Sequence, residues 1–97
     1  MAQENGCSIQ RQRLLESFLT LRTTEEVDAY LLDILSLKEL DDLTQRLEVA
    51  RLLSQGKSYV DVIKATGASS TTVSRVSKCI QGEAGGYRIV LERMGES

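Results

Sequence analysis

An all-α chain of about six helices is predicted, on three observations. Apolar residues recur at spacings of three and four, the period that lines one face of a helix, and no stretch alternates at two. The 97 residues contain no proline, so nothing removes a helical hydrogen bond from the interior of these runs. Most of the seven glycines lie near the ends or at the breaks between apolar runs, where helices stop.

The elements follow in order. Residues 1–8 are polar and are expected to form a flexible N-terminus, with one helical domain over 9–97. From Ile9 to about Leu21, Leu14, Leu15, Phe18 and Leu19 form an apolar stripe. Thr23-Thr24-Glu25-Glu26 supplies a cap and acidic first-turn residues for a second helix, whose stripe is Val27, Tyr30, Leu31, Ile34 and Leu35. Ser36 followed by Glu39 matches a capping box and opens a third helix to about Gln55, stopped by Gly56. This helix carries two stripes, one of Leu40, Leu43, Leu47 and Ala50, the other of Val49, Leu52 and Leu53. A helix apolar on two sides must be covered on two sides, by its own chain or by a partner copy. Shorter helices are expected at Ser58–Ala65, Ser69–Ile80 and Tyr87–Met94, separated by Thr66-Gly67-Ala68 and by Gly82 and Gly85-Gly86.

Composition narrows the function. Apolar residues make up 41 % and charged residues 27 %, ordinary for a folded soluble domain. No apolar run is long enough to span a bilayer, no signal peptide is visible, and the two cysteines, Cys7 and Cys79, have neither metal nor disulfide spacing. A reduced cytoplasmic setting is expected. The chain lacks histidine and any glycine-rich phosphate loop, and Asp41-Asp42 point about 100° apart on a helix, so neither catalytic nor metal residues nor a cofactor are expected. Net charge is −2, but unevenly spread: six Lys/Arg against ten Asp/Glu in residues 1–56, six against four in residues 57–97.

The more basic half holds the one motif with a mechanism. Residues 58–80, SYVDVIKATGASSTTVSRVSKCI, have the order of a helix-turn-helix. Ser58 caps the first helix, Val62 and Ile63 face inward, and Gly67 serves the turn. Ala68 plugs the corner, Ser69 caps the second helix, and Val73, Val76 and Ile80 make its buried face. On the opposite face, Ser70, Thr71 and Ser74 are short enough to approach base edges, and Arg75 and Lys78 can reach phosphates or guanine. Lys57, Tyr59 and Lys64, with Ser69, complete the expected contacts to duplex DNA. Cys79 is read as a small core residue. A dimeric module that keeps this shape but docks a protein stays open at this point.

The stretches LSLKELDDLTQRLEVARLLSQGKSYVDVIKATGASSTTVSRVSKCI (residues 35–80) and GGYRIVLERM (85–94) resemble the Trp repressor family, and more closely its YerC/YecD-type relatives. The resemblance covers about residues 20–95. It implies six helices, an intertwined homodimer, and two helix-turn-helix units on a two-fold-symmetric operator of a bacterial transcription regulator, with repression as the expected role. The family's corepressor pocket uses an Arg on the long helix and an Arg followed by Gly on the recognition helix. Arg46 and Arg75 stand at those arginines, Val76 stands at the Gly, and Cys79 replaces a Ser that helps to hold the ligand amine. The resemblance thus implies a ligand pocket at Arg46, Arg75 and Cys79 in which Val76 projects methyl groups where an indole would lie. Tryptophan is not expected to act as the effector, whose identity is left unknown. A salt bridge or a phosphate contact remains an equal reading for both arginines.

Overall fold

The computed structural model describes residues 5–96 as six helices without a strand: α1 Asn5–Phe18, α2 Thr24–Ile34, α3 Leu37–Ser54, α4 Tyr59–Thr66, α5 Ser70–Gln81 and α6 Gly86–Arg93. Helix α1 begins ahead of the expected start at Ile9, inside the stretch read as a flexible end; the rest of that stretch, residues 1–4, lies outside the described residues. It also ends at Phe18, and a turn closed by Leu19 N–H to the Glu16 carbonyl and Leu21 N–H to the Phe18 carbonyl follows. Contacts group the chain into two compact units that divide after Leu37.

The first unit is the pair α1 and α2. Thr23 caps α2 by accepting from the Glu26 N–H at 3.1 Å, and Glu26 Oε1 reaches back to accept from the Arg22 N–H at 2.8 Å. These reciprocal bonds satisfy donors that the helix start leaves orphaned. Phe18 and Tyr30 meet edge to face at 5.2 Å between ring centroids, and the Tyr30 hydroxyl shares a 2.7 Å hydrogen bond with Ser17. Much of the apolar stripe is exposed: Leu14, Leu15 and Phe18 face solvent, and Leu19 is 86 % exposed.

The second unit contains the core. Val49 and Ala50 of α3, Val62 of α4, Ala68 of the corner, Val73 and Val76 of α5 and Leu91 of α6 are buried together. Leu47, Leu52, Leu53, Ile63, Ile80 and Tyr87 pack around them. Of the two stripes read on α3, Val49 and Ala50 enter the core from different stripes, while Leu43 remains exposed. Gly56, at φ +86°, ends α3: its N–H bonds to the Leu53 carbonyl and Lys57 N–H to the Leu52 carbonyl, the paired closure of a left-handed helix stop.

Candidate nucleic-acid interface

Local rules build the motif. The Ser58 hydroxyl accepts from the Asp61 N–H at 3.1 Å, starting α4, and the Asp61 carboxylate sits in the first turn where the helix end is positive. Gly67, at φ +73°, stops α4 in the left-handed region that side chains other than glycine disfavour. The corner is then held from three sides. Thr66 Oγ1 donates to the Val62 carbonyl at 2.7 Å and accepts from the Ala68 N–H at 3.2 Å. Gln45 on α3 donates to the Thr66 carbonyl at 3.2 Å. Ala68, buried, fills the angle between the helices.

Ser69 caps α5, accepting from the Thr72 N–H at 3.1 Å. Val73 and Val76 anchor the inner face, so the period of the helix turns Ser70, Thr71, Ser74, Arg75 and Lys78 outward. Those five residues and Tyr59 line one open depression with no carboxylate on its wall. It joins the start of α4 to the outer face of α5, and it offers three hydroxyl-bearing short side chains, one guanidinium, one ammonium and a phenol.

The remaining sequence-predicted residues are distributed around it. Lys57 and Tyr59 line a neighbouring depression with Ser77 and Gln81. Lys64 is exposed in the last turn of α4 and does not line the main depression. The Ser69 hydroxyl is engaged by its own helix, in the cap and in a 3.0 Å bond with Thr72.

On another side of α5 lies a second cavity of about 110 Å3, lined by Arg46, Thr72, Arg75, Val76, Cys79 and Tyr87. It brings onto one wall Arg46, Arg75 and Cys79, the three residues for which the family resemblance implies a ligand pocket. Cys79, however, is exposed rather than a core residue: it falls on the flank of α5 between the buried valine row and the outward face. Thr72 and Tyr87 were not foreseen as wall residues. Tyr87 comes from α6, and no local pattern announces that α6 closes against α5. Burial first, then the charge of Cys79, pushes the pKa of its phenol above the ordinary value, with Arg46 opposing.

The model of the Trp repressor protein family matches residues 10–95, nearly the whole chain. The chain belongs to the Trp repressor family. Its relatives include the uncharacterized protein YerC of Bacillus subtilis, 38 % identical over 85 residues that span 88 % of this chain and 82 % of that one. A TrpR-like protein from Eubacterium eligens superposes with a TM-score of 0.82 at 31 % identity, covering 98 % of this chain and 96 % of the other. A proposed Trp repressor from Staphylococcus aureus gives 0.86 at 32 % identity, over 92 % and 89 %. The Trp repressor family is regulatory and non-enzymatic. No helix among the described residues is long and apolar enough to cross a membrane.

Proposed function

We propose that this protein is a sequence-specific DNA-binding transcription regulator, a repressor in the cytoplasm of a bacterium, acting as a homodimer on a two-fold-symmetric operator. The observation that carries this reading is the depression formed by Tyr59, Ser70, Thr71, Ser74, Arg75 and Lys78 on the outer face of a rigidly capped helix. Short hydroxyl side chains at the start of α5 admit close approach to base edges in the major groove. Arg75 and Lys78 lie further along the same face, with Lys57 and Lys64 at the edges of α4, to neutralise phosphates.

The exposed apolar residues support a homodimer. Leu14, Leu15, Phe18 and Leu19 on and after α1, and Leu37, 72 % exposed at the start of α3, leave apolar surface that a second copy would cover. In a two-fold dimer the two α5 helices would enter successive major grooves about 34 Å apart, so half-sites repeat at about 10 bp.

Selection of bound duplexes from a randomised pool tests the reading. It expects an enriched two-fold motif whose half-sites are about one helical turn apart, with affinity that falls steeply as salt rises. Absence of any enriched sequence, with weak binding even at low salt, would instead favour a protein-docking role for the same face.

A further inference from the structure

We propose that Gln45 of α3 is a positioning residue for the α4–α5 pair: its side-chain amide pins the corner between those helices and so sets how α5 presents Ser70, Thr71 and Ser74. The pin stands on geometry alone. Its effect on sequence choice rests on the DNA-binding reading above, which it deepens.

Helix α4 leaves α3 through the stop at Gly56, where the Lys57 N–H bonds to the Leu52 carbonyl. That turn fixes the near end of α4. The far end, Thr66, lies eight helical residues on, about 12 Å away. Gln45 reaches it there: Nε2 donates to the Thr66 carbonyl at 3.2 Å, across 21 positions of the chain. Gln45 sits one turn before Val49, so it shares the face of α3 that enters the core. A helix held by one neighbour at both ends has one pitch against it; held at Gly56 alone, it can swing.

Burial of Val49, Ala50 and Val62 in one core also holds α4. Apolar burial is non-directional, however, whereas a hydrogen bond weakens steeply off line, so the amide selects among orientations that the core tolerates. The Thr66 carbonyl needs such a donor, because it belongs to the last turn of α4, whose carbonyls have no partner within the helix. The Thr66 hydroxyl is already engaged by the Val62 carbonyl and the Ala68 N–H.

The pinned point adjoins the residues that would read bases. Gly67 and Ala68 follow Thr66, Ser69 caps α5, and Ser70 opens it. A shift of the corner therefore moves the start of α5 with it. Arg75 and Lys78 reach phosphates on long side chains that can adjust to such a shift, whereas Ser70, Thr71 and Ser74 have short ones that cannot. Loss of the pin should lower discrimination between sequences and spare the affinity common to every duplex.

The full chain is compared with Gln45→Met and Gln45→Glu, neither of which has a donor at neutral pH. Each is titrated with a duplex selected by the unmodified protein and with a scrambled duplex of the same length. Both variants should lower the ratio of selected to scrambled affinity about three- to tenfold, one hydrogen bond's worth, with scrambled affinity and salt slope unchanged. A retained ratio in either variant overturns the proposal, and so does an equal loss on both duplexes, which a merely structural role would produce. Amide exchange reads the pin without DNA: the N–H groups of Ala68, Thr72 and Val73 should exchange faster in Gln45→Met, with α6 unaffected. If the unmodified protein prefers no sequence, the regulator reading falls and exchange decides the pin; faster exchange at the corner keeps it and an unchanged pattern removes it. If both variants misfold, the side-chain amide protons of Gln45 in the unmodified protein decide. Slow exchange supports the pin, and exchange as fast as at the exposed Gln55 overturns it.

Discussion

Arg88 on α6 donates from Nη1 to the carbonyl oxygen of Gly82, the residue that caps α5, at 3.0 Å, and the same nitrogen also donates to the Ile80 carbonyl. The last carbonyls of a helix have no partner within it, and a cation there also complements the negative end of its dipole. One side chain thereby ties α6 to the end of the helix that carries the candidate interface. Arg88→Ala should lower stability by about 1 kcal/mol, since the groups are exposed and water replaces part of the loss. Thermal unfolding measures it, and faster amide exchange at the end of α5 than at its capped start would locate it. An unchanged exchange pattern would show that the contact does not hold the helix end.

Gly67 is the corner residue whose backbone conformation forbids easy substitution. A Cβ built there meets no atom within 4 Å, so the cost of Gly67→Ala is conformational and not steric. Loss of about 1–2 kcal/mol is expected from forcing alanine into the left-handed region. Gly67→Asn should lose less, because asparagine tolerates that region. Equal loss for both in chemical denaturation would point to a packing cause instead.

Thr71 and Ser74 lie on the outward depression, whereas Lys64 stands apart from it. Under the DNA-binding reading, Thr71→Ala or Ser74→Ala should change the preferred sequence, each misread position being worth about 1–3 kcal/mol. Lys64→Ala should weaken every duplex alike and flatten the salt dependence by about one ion. Binding to a panel of related duplexes separates the two behaviours. A uniform loss for all three changes would remove Thr71 and Ser74 from base readout.

The Glu48 carboxyl is held below the usual carboxylate range, chiefly by its hydrogen bond from Arg51, with burial opposing and the Arg51 charge assisting. Arg51 Nε donates to Glu48 Oε1 at 3.0 Å, and Arg51 Nη1 lies 3.6 Å from Glu96 Oε2 beyond the end of α6. A folded-state value below the unfolded one contributes stability above the unfolded value near 4.5, lost as pH falls through the folded value. The pair is exposed, so the contribution is small and screened by salt. The acid limb of the stability profile should be shallower in Glu48→Gln than in the parent at low salt, and the two should converge at high salt. A profile that does not change with Glu48→Gln would mean the pair contributes nothing.

Caps, helix stops and buried periods, which depend on neighbours within four or five residues, were legible from the chain alone for α2, α4 and α5. Thr23, Ser58 and Ser69 cap the helices they were read to cap, Gly56 and Gly67 stop helices with positive φ, and Val62, Val73 and Val76 are buried. Caps, turns and helical period are local properties, and these residue types leave few alternatives. The start of α1 was misplaced because its first residues are polar and carry no apolar period.

What the tertiary structure decided depends on which helix lies against which. The short polar row on α5 became a single surface only when α4 set Tyr59 beside it. Cys79 looked like a core residue because it is small and sits among core positions, but α6 packs so as to leave it exposed at a cavity edge. Tyr87 and Arg46 stand 41 positions apart in the sequence yet share that cavity's wall, and Glu96 meets Arg51 across a similar gap. A spacing rule sees one helix at a time; the angle at which two helices cross is set by the summed packing of many side chains, and that sum exists only in the folded chain.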